Sequence, residues 1–460
     1  MSAIYPVDVA EIDATISSLA SRHPTLCNAA ACVATTAEGR TVRYLRIRGG
    51  PKPAADRVKV LLVGGVHARE YAPPAVLLRL VARLCTAYSG TVGPIVTGTV
   101  TFPEEKVSKV MEGLDLYVLP LANPDGRAFN RASDVMWRKN RRVFPGPNRI
   151  GVDVNRNFPV GRDFRTFYDI ADPGVRTAVV IEDDWVTPEH DPYEVFRGDV
   201  AAEEPETRNV MDLIDTLKPN VFVDVHSYGP DVLYPWSLET NQTSDPDKNF
   251  ANAAWDGRRD ATSGGGSAYE EFIPSKVVKL HQEAGKAMVT AMNAAAPSPR
   301  YTCSNAAVGL YVAPATSQDY AFSKNFGAGK WNILSFTIEV GTSGLGGFRP
   351  DEAEYQTIEK GANAGLLALL YEAADACAIA TAVYGDRDHP DVRFLREVRD
   401  VRLRRTRLGR LVRRPLVAGY ARVGPPAAAR LQRHPNAADA VRAGVIAPLV
   451  RVLRAVLRER

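Results

Sequence analysis

Four short apolar runs constrain this chain more than any other feature. Residues 58–63 (VKVLLV), 114–121 (LDLYVLPL), 221–225 (VFVDV) and 333–340 (ILSFTIEV) are dense in branched and aromatic side chains and too short for buried helices. Runs of this kind are predicted to be strands covered on both faces. Residues 74–88, 203–217, 275–295 and 351–375 carry helical periodicity between and after them. Ile12, Ile16 and Leu19 give a further amphipathic helix that stops before Pro24. The alternation predicts an α/β fold: a mixed, mostly parallel twisted sheet flanked by helices. The first run ends at Gly64-Gly65, and Asn123-Pro124-Asp125-Gly126 after the second is predicted to be a turn. Residues 161–195 and 240–270 are polar and irregular and read as long surface loops.

Charge divides the chain. Of 460 residues, 45% are hydrophobic and 24% charged, which excludes wholesale disorder, and the net charge is only +4. Residues 386–460 hold 19 arginines, no lysine and seven acids, so they carry +12 and leave −8 for residues 1–385. A uniformly basic nucleic-acid binder is therefore not indicated, and no nucleic-acid or membrane contact is expected of the body. Phe394, Val398 and Val401, and later Val445, Leu449, Leu453 and Val456, recur at helical spacing among the arginines. The tail is expected to be a basic helical C-terminal extension that contacts an acidic partner or the chain's own body. Five scattered cysteines do not form a disulfide framework. Residues 1–25 have neither a basic nor an apolar leader region, so the default expectation is a cytoplasmic protein, with secretion left open.

The chemistry sits where strands end. Two of the seven histidines follow predicted strands directly: His67, in Gly-Gly-Val-His67-Ala-Arg69-Glu70, and His226, in His226-Ser-Tyr228. In open α/β sheets, ligands bind beyond the carboxyl ends of strands. Two imidazoles and one carboxylate make a three-ligand zinc site with a position left for water, the catalytic rather than the structural pattern. A lone His-x-x-Glu is common by chance, and either histidine alone could be a hydrogen-bonded strand-end residue. His281 reads as a surface residue on the 275–295 helix, and His190 lies in an acidic loop.

Further segments appear in order: Trp137-Arg138-Lys139, then Gly151-Val-Asp153-Val-Asn155-Arg156-Asn157-Phe158, then Leu310-Tyr311, then Ser335-Phe-Thr337-Ile-Glu339. Together with the histidine motifs they closely resemble the zinc carboxypeptidase family, the carboxypeptidase A-type metallocarboxypeptidases of peptidase family M14, across roughly residues 5–375. The resemblance implies a catalytic domain over 1–380 and a tail over 381–460. It implies one zinc ion held by His67, Glu70 and His226, with Glu339 as general base and Arg138 polarising the scissile carbonyl. Asn155 and Arg156 match the grip on the substrate's terminal carboxylate, Tyr311 the mobile tyrosine, Asp153 the acid orienting the first zinc histidine, and Arg69 a further substrate contact. Arginine's planar fork suits a carboxylate better than lysine does, as removal of a C-terminal residue requires.

The position seven beyond Tyr311 helps select the terminal side chain in this family, and here it is Gln318. With Ser237, Ala313, Thr316 and Thr337 beside it, it supplies no negative charge, which favours neutral termini or broad selectivity. The implied substrates are peptide or protein C-termini. The alternatives are a specialised zinc amide hydrolase acting on a cell-wall peptide or amino-acid conjugate, and a silent peptide-binding homologue.

Overall fold

A computed structural model describes residues 5–145, 150–161, 163–172, 175, 194–261, 269–296, 298–327, 329–375, 391, 395 and 435–451. Two compact units are present, Met1–Pro51 with Val58–Tyr371, and Lys52–Arg57 with Glu372–Arg460.

The first unit is built on an eight-stranded sheet: β1 (Cys27–Thr35), β2 (Thr41–Ile47), β3 (Val58–Gly64), β4 (Leu114–Leu119), β5 (Val221–His226), β6 (Asp231–Tyr234), β7 (Thr302–Asn305) and β8 (Leu334–Glu339). The spatial order is β1-β2-β4-β3-β5-β8-β6-β7. The four central strands β4, β3, β5 and β8 run parallel. β1, β2 and β4 pair antiparallel on one side, and β8 pairs antiparallel with β6 on the other. The sheet is therefore mixed, as the alternation predicted. β3, β4, β5 and β8 are the four apolar runs, and Val60, Leu61, Leu62, Val118, Phe222, Val223 and Val225 are completely buried. β1, β2, β6 and β7 were not legible as strands, because each is short or half-exposed and mixes small, polar and apolar residues.

The helices α1 (Val9–Arg22), α2 (Ala72–Tyr88), α3 (Glu104–Gly113), α4 (Pro124–Ser133), α5 (Pro205–Leu217), α6 (Ser275–Ala295), α7 (Ser317–Ser323) and α8 (Glu352–Asp375) accompany the sheet. α1 buries Ile12, Ile16 and Leu19 and begins with a capping box between Asp8 and Glu11. α2 packs on β3 and β5, α5 on β1 and β3, and α7 on β5 and β8.

Two expectations are corrected. Asn-Pro-Asp-Gly is not a free turn but the start of α4: Asn123 accepts from the Gly126 N–H and Pro124 occupies the first helical position. His281 is not at the surface but fully buried in α6. Its Nδ1 donates to the Val277 carbonyl (2.8 Å), so Nε2 keeps a lone pair and accepts from the Ser335 N–H of β8 (3.0 Å). The described part of 240–270 is largely irregular and mostly exposed or half-buried, as expected of a surface loop, with Arg259 as an exception. Arg259 is completely buried, bonds to the Phe167, Asn249, Phe250 and Asn252 carbonyls, and stacks on Phe167. At Arg259 polarity marks paired burial rather than exposure. His190 and most of 173–193 lie outside the described residues.

In the second unit, a helix over Pro435–Val441 runs into a π-helical turn over Arg442–Ile446. Val445 and Leu449 are exposed there, while the helical expectations at Phe394, Val398, Val401, Leu453 and Val456 lie outside the described residues. Among the described residues no helix is long and apolar enough to cross a membrane.

Burial pushes His281 down to about 4, against an unfolded value near 6.5. Between these values the unfolded chain binds a proton that the native chain does not. Stability is therefore expected to fall as pH drops from about 6.5 towards 4. His281→Leu should abolish this contribution while costing about 1–3 kcal/mol at pH 8, because the Ser335 N–H loses its acceptor. Urea unfolding of both proteins across this pH range checks both effects.

Candidate active site

The strand register assembles the site. Gly64 pairs with Val225, and Glu339 pairs with His226, so β3, β5 and β8 end along one carboxyl edge. Beyond β3 the chain must turn tightly under Leu121. Gly65 does so at φ +62°, where a Cβ would stand 2.7 Å from Leu121 Cδ1. The following loop carries His67, Arg69 and Glu70 into a cleft of about 300 Å³ that His226, Arg138, Asn155, Arg156, Tyr311 and Glu339 also line. Sequence motifs spread over 270 residues thus meet in one cavity.

His67, Glu70 and His226 are all buried, and their ligand atoms lie within 4.8 Å of one another. His67 Nδ1 is 2.6 Å from Glu70 Oε1, His226 Nδ1 is 3.2 Å from Glu70 Oε2, and the two Nδ1 atoms are 3.1 Å apart. The outer nitrogens face acids: His67 Nε2 lies 3.2 Å from Asp153 Oδ1 and His226 Nε2 lies 3.0 Å from Asp224 Oδ2. For His67, an Nε2–H directed at Asp153 leaves the Nδ1 lone pair for a cation. Burial opposes charge on His226, but Asp224 and Glu70 outweigh it and raise the imidazole well above its ordinary range. A proton is thus the competitor that a metal must displace. Two imidazole nitrogens and a carboxylate crowded around one point fit zinc's preferred donor set.

Asp153 couples this trio to the arginines. Besides facing His67, it accepts from Arg138 Nε (3.0 Å) and from the Asn155 N–H (2.9 Å). Burial works against its charge, but Arg138 and His67 hold it well below the usual carboxylate range. Asn155 Oδ1 accepts from the Ser317 N–H (2.8 Å), which leaves its Nδ2 as the donating end. Arg156 donates to the Asn155 carbonyl and to the Tyr311 hydroxyl (3.1 Å). Tyr311 is 45% exposed at the cleft, so its ring is not a core aromatic.

Glu339 lines the cleft beside His226. Burial, opposed by the charges of His226 and Arg138, pushes its carboxyl up to about 7. Gly229 makes room for it, since a Cβ there would come within 3.0 Å of Glu339 Cβ. Such a group can take and return a proton near neutrality. Arg69 stacks over Phe348 (4.2 Å) and is bound on both terminal nitrogens by Glu194 (2.5 and 2.8 Å). Gln318 is buried in the cleft wall with Ser237 and Thr337.

The sequence reading missed Arg127. It is completely buried in α4 and donates to the Ala68 carbonyl (2.7 Å), the Glu70 carbonyl (2.5 Å) and the Val7 carbonyl (2.8 Å). It therefore braces the backbone of the loop that carries two of the ligand residues. An arginine at the fourth position of a helix beginning at a proline carries no periodic signal that would reveal this.

Comparison with known proteins agrees with this geometry. Residues 12–364 match the family model described as zinc carboxypeptidase. Bovine carboxypeptidase B is 25% identical over 350 residues, spanning 75% of this chain and 65% of that protein. The zinc carboxypeptidase A 1 of Anopheles gambiae is 30% identical over 231 residues, spanning 49% of this chain and 43% of the relative. The matched region thus covers less than two thirds of either relative. Among solved structures, carboxypeptidase A from Helicoverpa armigera superposes with a TM-score of 0.57 at 22% identity, over 80% of this chain and 74% of that one. Bovine thrombin-activatable fibrinolysis inhibitor, in complex with tick carboxypeptidase inhibitor, gives 0.56 at 20% identity, over 80% and 96%. At these identities the two structures establish a shared fold. With the family model matching most of its length, the chain belongs to the zinc carboxypeptidase family.

Proposed function

We propose that the chain is a zinc-dependent metallocarboxypeptidase that hydrolyses the last peptide bond of peptides or proteins. The observation that carries this reading is one cleft that unites a buried His-Glu-His trio, a carboxyl poised near neutrality and an arginine suited to a free carboxylate. His67, Glu70 and His226 hold the metal. Zinc bound there supplies Lewis-acid polarisation and acidifies water.

Arg156, with the Nδ2 of Asn155, receives the substrate's terminal carboxylate. This interaction requires an unblocked C-terminus and fixes which bond is presented. Arg138 is buried beside the trio, and Asp153, Tyr311 and Glu70 hold it firmly cationic against the effect of burial. It stabilises negative charge developing on the scissile carbonyl oxygen, an effect worth about 3–4 kcal/mol for a single donor in other hydrolases. Glu339 accepts the proton of the attacking water and passes it to the leaving amine. Tyr311, whose hydroxyl meets Arg156, closes over the same carboxylate-binding group.

Glu339→Gln is expected to reduce kcat by about 10²–10⁴-fold with one zinc per chain retained, as read by metal analysis and peptide turnover. Retained activity would refute the general-base role. Arg156→Ala should lower kcat/KM by about 10- to 100-fold on peptides with a free C-terminus. C-terminally amidated peptides, turned over slowly if at all, should show no comparable loss. Asp153→Asn should weaken zinc binding by about 10- to 100-fold in a chelator-competition titration, because His67 loses the acid that orients it.

A further inference from the structure

One polar cluster in the cleft wall has no part in the mechanism above. Gln318, Ser237 and Thr337 line the cleft with Leu233, Ala306 and Ala313 beside them. The cluster adjoins the carboxylate-binding group, because Ser317, next to Gln318, donates its N–H to Asn155.

Its hydrogen bonds have a definite polarity. Gln318 Nε2 donates to the Leu233 carbonyl (2.9 Å). A carbonyl oxygen can only accept, so the amide cannot be turned round. Gln318 Oε1 therefore faces Ser237 Oγ (3.1 Å) and Thr337 Oγ1 (3.0 Å) and accepts from both. Each hydroxyl has one proton, and each spends it on Oε1. What the two hydroxyls have left are lone pairs, so they can only accept a hydrogen bond from an incoming side chain.

The cluster also lacks charge. Asp319, the nearest acid in sequence, turns both oxygens to the Ser237 N–H (3.0 and 3.1 Å) and does not line the cleft. A lysine or arginine end group would lose water here without gaining a counter-ion. A carboxylate would meet the lone pairs of the Ser237 and Thr337 hydroxyls. An aliphatic side chain would cover two buried acceptors and leave them without donors. Polar sites reject analogues that lack the matching group far more strongly than apolar pockets reject an extra methylene.

Building on the carboxypeptidase reading, we propose that Ser237, Thr337 and Gln318 select C-terminal residues with an uncharged side chain bearing an N–H or O–H donor. Asparagine, glutamine, serine and threonine are its compact members. Gln318 acts by orienting the two hydroxyls, and Ser237 and Thr337 make the contact.

The test compares near-isosteric termini on one N-blocked dipeptide scaffold: asparagine against leucine, and threonine against valine, with lysine and glutamate included. The donor-bearing member of each pair is expected to have a kcat/KM about tenfold higher. A Ser237→Ala, Thr337→Val double substitution should bring both ratios close to unity. Gln318→Glu should move the preference towards lysine. Equal or better cleavage of leucine and valine by the unaltered enzyme overturns the inference, as does a preference for lysine or glutamate. The unaltered enzyme's ratios decide the matter even where a variant folds poorly. Release of no residue from any of these substrates by zinc-loaded protein counts against the carboxypeptidase reading itself.

Discussion

Everything in the cleft depends on the parallel pairing of β3, β5 and β8 in one register. Pairing of Glu339 with His226 and of Gly64 with Val225 brings three strand ends to a common edge. Successive strand residues point to opposite faces, so a slip of one position would turn His226 or Glu339 away from its partners. The apolar bodies of these strands fix that register, because any other would bring polar ends into the core. The hydrophobic interior thus does geometric work for groups it does not contain. It holds ionisable side chains at a boundary where mutual pairing offsets the loss of water.

Asp153 shows how few groups are needed once the edge is set. One carboxylate meets a ligand histidine, the cleft arginine Arg138 and the backbone of Asn155. The buried trio and the cleft arginine are therefore referred to the same two oxygen atoms. The cleft wall follows the same logic in uncharged form, where the Gln318 amide decides the direction of two hydroxyls.

The sequence revealed the strands that are apolar throughout and the residues that close them, because a histidine or glutamate at the end of such a run stands out. It also held the site residues in family order, and all of them lie in or against the one cleft. It did not reveal β1, β2, β6 or β7, whose faces are divided between solvent and core. It misplaced His281, since helical periodicity cannot say that an imidazole will find both a donor and an acceptor inside. Asn123-Pro124-Asp125-Gly126 looked like a turn because a helix cap and a turn use the same residues. Glu194 on Arg69 and Arg127 beneath the ligand loop are tertiary partnerships between segments far apart in the chain, and no local pattern encodes them.

Arg127 has a wider consequence. Its guanidinium bonds at once to Val7, ahead of the first helix, and to the backbone on either side of Arg69. Lifting the N-terminal segment would strip one arm of a buried cation and disturb the carbonyl of a ligand residue. Val7 thus shares a buried cation with the loop that carries His67 and Glu70, although it does not line the cleft.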